Sequence, residues 1–104
     1  MTLIDEQIKL GQLVCSKRGR DRGKYYLVLE IRDNTFVYLV DGEKRRMDNP
    51  KQKNIKHLKL YPAVAGDLVQ QWETGQNPGN SEVRRVIARF KQHFLLDQES
   101  ETRG

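Results

Sequence analysis

The sequence has little of what most often marks a catalytic or metal-binding chain. Its one cysteine, Cys15, excludes an internal disulfide, and its two histidines, His57 and His93, lie too far apart to form a zinc-ligand spacing with it. Paired carboxylates and His/Cys clusters, which acid–base or nucleophilic chemistry requires, are missing from the basic segments. No enzymatic activity and no cofactor are therefore expected. No apolar run approaches the roughly 18 residues of a membrane span. Met1 to Leu10 carries two acids and no apolar signal-peptide core. A soluble, cytoplasmic protein without a membrane partner or small-molecule substrate is expected. Hydrophobic residues make up only 37% and charged residues 32%, so the core must be small and packing alone must hold it.

What the chain does have is unevenly placed positive charge. Its 104 residues include 19 basic and 14 acidic side chains, a net +5. Residues 1–60 hold 14 of the basic and 8 of the acidic groups, and residues 80–96 are also net positive. The two intervening and terminal stretches, 61–79 and 97–104, are net negative. Such concentration suits an anionic surface better than a diffuse solubility role. The densest point is Lys-Arg-Gly-Arg-Asp-Arg-Gly-Lys at 17–24, five basic residues of eight with two glycines. Lys17, Arg18, Arg20, Arg22 and Lys24 can neutralise phosphates and release counterions, and the backbone near Gly19 and Gly23 can approach a phosphate closely. A solvated loop without a partner is the bland alternative.

Thr2 and Asp5 in capping-box spacing allow a helical turn or two over Thr2 to Leu10. A strand is predicted over Leu10 to Ser16, before the basic loop. Tyr25 to Ile31 and Thr35 to Val40 are rich in β-branched and aromatic residues around Asp33-Asn34, and read as a hairpin. Neither strand alternates cleanly, which implies burial on both faces, as in a sheet curled into a barrel. Asp41-Gly42 has the chemistry of a two-residue type I′ turn, with a return strand over Lys44 to Met47 stopped at Asn49-Pro50. Pro50 to Lys53 reads as a further basic loop, adding Lys51 and Lys53 to the candidate contacts. Ile55 and Leu58 suit a single 3₁₀ turn, followed by a short strand from Lys59 to Tyr61. The fold class is thus mainly β, a small five-stranded barrel over 1–61. Residues 62–79 read as a linker with a short helix from Asp67 to Glu73. A C-terminal α-helix over 80–96 carries an apolar stripe of Val83, Ile87, Phe90 and Phe94 that should pack on the barrel. The polar tail, 97–104, is expected to be disordered.

Gly11, Val14, Gly19, Gly23 and the strand Tyr26 to Ile31 resemble the KOW motif of ribosomal and transcription-factor proteins. The segment Val-Tyr-Leu-Val-Asp-Gly-Glu-Lys-Arg-Arg-Met at 37–47, followed by Ile-Lys-His-Leu at 55–58 and Pro62, is similar to the large-subunit ribosomal-protein family of the fourteen-e type. The likeness covers residues 10–60 well and 80–90 loosely. It implies an SH3-like barrel that binds ribosomal RNA of the large subunit through the first turn and a basic edge near Arg45 and Arg46, with Lys56 beside the closing Ile-x-His-Leu. It also implies a role in translation without catalysis. Lys24-Tyr25-Tyr26 departs from the elongation-factor branch of KOW domains, which has a second glycine there.

Other residues admit two readings. Tyr25, Tyr26 and Tyr38 could stack on bases, but core packing is the better expectation in so small a barrel. His57 reads as a barrel-closing hydrogen-bonder, Cys15 as a buried thiol and Trp72 as a docking anchor. A protein–protein interaction module and a KOW-type transcription-factor domain are the alternatives to a ribosomal RNA binder.

Overall fold

The computed structural model describes residues 7–76 and 79–103, with side chains as far as Phe94. Five strands form one antiparallel sheet: β1 (Gln12–Ser16), β2 (Tyr25–Ile31), β3 (Phe36–Val40), β4 (Lys51–Asn54) and β5 (Leu58–Val64). Their order across the sheet is β4-β3-β2-β1-β5. The last two strands, consecutive in sequence, therefore lie at opposite edges. In a flat sheet those edges would stand about 19 Å apart, four spacings of about 4.8 Å. The chain crosses between them in a 3₁₀ turn, Ile55–His57, which rises only about 2 Å per residue. The sheet must curl to bring its edges together.

Hydrogen bonds fix the crossing. Ile55 N–H donates to Thr35 O at 2.8 Å on the β3 side, and Lys17 N–H donates to His57 O at 2.8 Å on the β1 side. The Asn54 side chain caps the turn by accepting from Lys56 N–H at 3.0 Å. Among the described residues no ladder joins β4 to β5, so the expected closed barrel is a curled, open sheet bridged at one end by this turn.

Both faces of the sheet are buried, because alternate side chains serve two clusters. The concave side collects Val14, Tyr26, Val28, Val37, Leu39 and Leu58. The other side carries Leu13, Leu27 and Val40, which meet two helices, α1 (Gly66–Glu73) and α2 (Asn80–Arg103). Val83, Val86 and Ile87 of α2 are buried there, with Phe90, Phe94 and Trp72 half-buried around them. Each such aliphatic side chain contributes roughly 1.5–3 kcal/mol on burial. The apolar stripe of α2 packs on the sheet as expected, and Val86 joins it. Cys15 lies half-buried, and desolvation raises its thiol pKa.

Several boundaries differ from the sequence reading. Lys44 to Met47 is not a strand. The return strand is β4, so Lys51 and Lys53 sit in the sheet rather than in a loop. β5 continues through Pro62, which an edge strand tolerates because its N–H side needs no ladder partner. The β1–β5 register shifts beside it, between Gln12 and Val14, and Gln12 Nε2 donates to Tyr61 O at 2.8 Å there. Helix α2 runs to Arg103, through the stretch read as a disordered tail. The helical turn expected over Thr2 to Leu10 falls largely outside the described residues.

Candidate nucleic-acid interface

The first basic loop, 17–24, is an ordered turn built on its one acid. Ser16 N–H donates to Lys24 O at 2.9 Å and Gly23 N–H to Ser16 O at 2.8 Å, closing the loop at its base. Gly19 and Gly23 have φ of +87° and +90°, the left-handed region that glycine enters without steric cost. The Gly23 N–H is taken by Ser16 O, so the close phosphate approach expected there finds no free amide at this glycine. Its role is the bend.

Asp21 is 9% exposed, an unusual place for a carboxylate. Its Oδ1 accepts from Ser16 Oγ and from Lys53 Nζ, both at 2.8 Å, and its Oδ2 accepts from Tyr26 OH at 2.9 Å. Burial works to raise its pKa. The hydrogen bonds from Lys53, Ser16 and Tyr26 outweigh that and hold the carboxyl at about 2. Desolvation and the same carboxylate push the Tyr26 phenol upward.

Register explains how Lys53 arrives there. Lys51 and Lys53 pair with Leu39 and Val37, so their stems lie on the concave side of β4, over the inner cluster. Lys53 Nζ also donates to Arg18 O at 2.8 Å, clipping the edge strand to the first loop. Lys53 is thus an internal strut, not the free cation expected from sequence. Lys51 Nζ stands 4.0 Å from Asp21 Oδ2 and remains more exposed.

The other cations are brought together beside this strut. Arg20 and Lys24 of the first loop, Lys44 and Arg45 of the 41–50 loop, and Lys51 of β4 line one groove of about 270 Å³. Asp21 and Asp41 are also in its wall. Asp21 is neutralised by Lys53, and Asp41 Oδ1 accepts the N–H groups of Glu43 and Arg45 at 2.8 and 2.9 Å. The groove therefore presents positive charge outward. Lys44 is not among the candidates read from the sequence, where the family resemblance points to Arg45 and Arg46 beside it. Lys17, Arg18, Arg22 and Arg46 are exposed outside this groove, and Lys56 lies by the 3₁₀ turn. Among the described residues, Lys17, Arg18, Arg20, Arg22 and Lys24 make no ion pair.

The 41–50 loop is held from behind by α2. Gly42, with φ of +80°, faces the start of that helix, where a Cβ would collide with Asn80 O and the Arg84 side chain. Arg84 Nη1 donates to Gly42 O at 2.6 Å, and Met47 N–H donates to Asn80 Oδ1 at 2.8 Å. Asp41 does not take the positive φ that a type I′ turn needs. The glycine serves helix docking instead of a tight hairpin.

The aromatics supply no open stacking platform among the described residues. Tyr26 is buried, Tyr25 is half-buried beneath Lys91 Nζ at 5.0 Å from its ring, and Tyr38 is half-buried with Arg32 6.0 Å from its ring centre. Those same described residues contain no cluster of three or more His, Cys, Asp or Glu side chains able to hold a metal.

The chain is thus a curled antiparallel sheet with two helices on its outer face and a cationic groove at its loop end. No family model matches the chain. It is 37% identical over 59 residues to the Bacillus subtilis protein named "Putative ribosome-binding protein YbzG", a match covering 57% of this chain and 80% of that one. The chain belongs to the YbzG family. It is also 35% identical over 60 residues to large ribosomal subunit protein eL14 of Hyperthermus butylicus, covering 53% of this chain and 56% of the archaeal protein. Both relatives carry ribosome-related names, which agrees with the family resemblance seen in the sequence.

Proposed function

We propose that this protein is a non-enzymatic, ribosome-associated RNA-binding protein, with an SH3-like KOW module that contacts ribosomal RNA of the large subunit. The observation that carries this reading is the convergence of Arg20, Lys24, Lys44, Arg45 and Lys51 on one groove, with the local acids already satisfied. Five cations lining one groove suit a polyanionic phosphodiester backbone, and an arrangement poor in open aromatics favours backbone and shape over unpaired bases. The ribosome-related relatives support the choice of RNA. The strand order with a 3₁₀ turn joining opposite edges is compatible with an SH3-like module. Arg22 and Arg46, exposed on the same two loops, extend the contact surface.

Sedimentation with separated ribosomal subunits tests the proposal. The protein should travel with the large subunit at low salt and be released at high salt, because phosphate contacts weaken as counterions compete. Failure to sediment at low salt would contradict it. Salt-insensitive association would favour the protein–protein reading.

A further inference from the structure

The first loop has a second flank, toward the 3₁₀ turn, and it carries a titratable group. His57 is half-buried there, and its carbonyl accepts the Lys17 N–H at 2.8 Å, so the turn and the loop share one rigid backbone junction. Ser16 pairs with Leu58, so Lys17 stands opposite His57 on the same face; Arg18 follows Lys17 in the loop and Lys56 precedes His57 in the turn. Lys53 joins from β4, held by Arg18 O at 2.8 Å. The carboxylate of this neighbourhood, Asp21, is committed to Ser16, Tyr26 and Lys53. Among the described residues, positive charge therefore gathers near the imidazole while Asp21 is already engaged.

We infer that Lys17, Arg18, Lys56 and His57 form a second phosphate-binding point on this flank, and that RNA bound there makes His57 take up a proton. The inference rests on the RNA-binding reading and adds to it a site and a dependence on pH. Its physical basis is mutual repulsion relieved by a ligand. In the free protein, desolvation and the charges of Arg18, Lys53, Lys56 and Lys17 lower the His57 pKa, so the ring is neutral near pH 7. A phosphate placed among these cations supplies the missing negative charge and favours the imidazolium, which becomes a further donor to it. By linkage, a ring that gains a proton on binding makes binding tighter as pH falls.

The ring resonances of His57 and His93 can be followed by NMR across pH, with and without a short RNA duplex at constant salt. His93, exposed on α2, is the internal control. His57 should titrate below the ordinary imidazole range in the free protein and higher in the complex. Duplex affinity should accordingly rise about tenfold from about pH 8 to about pH 5.5. The variant His57→Gln should keep its binding at the higher pH and lose that rise. An unchanged His57 titration with intact RNA binding would overturn the inference and leave the RNA-binding reading standing. Absence of duplex binding at every pH would overturn both.

Discussion

Two loops lie side by side at one end of this sheet, one strongly basic and one balanced in charge, and they use their glycines in opposite ways. The loop at 17–24 is braced from within, through Asp21, Ser16, Tyr26 and Lys53, and leaves its five cations facing solvent. The loop at 41–50 is braced from without. Gly42, Arg84, Asn80 and Met47 lock it to the start of α2, and it contributes Lys44 and Arg45 to the shared groove from a fixed position. Charge alone does not separate a loop braced from within from one braced by a helix. The difference lies in what each glycine faces, open space at Gly23 and a helix at Gly42.

That contrast is open to direct attack by substitution. Gly42→Ala should have the largest effect, about 3 kcal/mol of stability in urea unfolding, because left-handed strain adds to a collision with α2. An effect below about 1 kcal/mol would mean that the helix does not press on this turn. Asp21→Asn should remove about 2 kcal/mol, and the loss should depend on pH. The folded carboxyl ionises at about 2 against an ordinary 3.8, so its contribution is complete above about pH 4 and disappears as pH falls toward 2. The gap between wild type and variant should close over that interval. A gap unchanged from neutral pH to about pH 2 would refute the internal strut.

Arg20→Glu with Lys24→Glu should weaken duplex-RNA binding about tenfold, roughly 1.4 kcal/mol, with circular dichroism unchanged. Arg84→Glu, at a residue bonded to Gly42 O, should lower stability more than it lowers affinity. Equal losses of affinity from both changes would point to diffuse electrostatics. Gly23→Ala should be mildest, about 1 kcal/mol, since its left-handed backbone meets nothing within 4 Å.

Much of the fold was legible in the sequence where apolar residues recur. β2 occupies the Tyr25 to Ile31 span expected from its β-branched and aromatic content, and β3 begins one residue later than expected. The 3₁₀ turn was legible from Ile55 and Leu58. β4 was not, because Lys-Gln-Lys-Asn has no apolar member, and only tertiary position makes two lysine stems into core covering. The lack of alternation in β2 was a sign of burial on both faces. Its second cause, the helices on the outer side, came from the far end of the chain.

The candidate site was legible in outline and not in assignment. Arg20, Lys24, Arg45 and Lys51 were found by charge density and family resemblance and do meet at one groove. Charge alone makes Lys53 equivalent to Lys51, although register aims both toward Asp21 and Lys53 reaches it at 2.8 Å against 4.0 Å for Lys51. The signal available was Asp21 itself. A lone acid among five cations is more readily explained as a structural hub than as a solvated charge.

The most direct test of the central claim is the salt dependence of duplex-RNA affinity. With about five phosphates neutralised, log affinity should fall against log salt with a slope of about −4 to −5. Arg20→Glu with Lys24→Glu should reduce that slope by about two. A wild-type slope near zero, or a slope that the double variant leaves unchanged, would contradict the account.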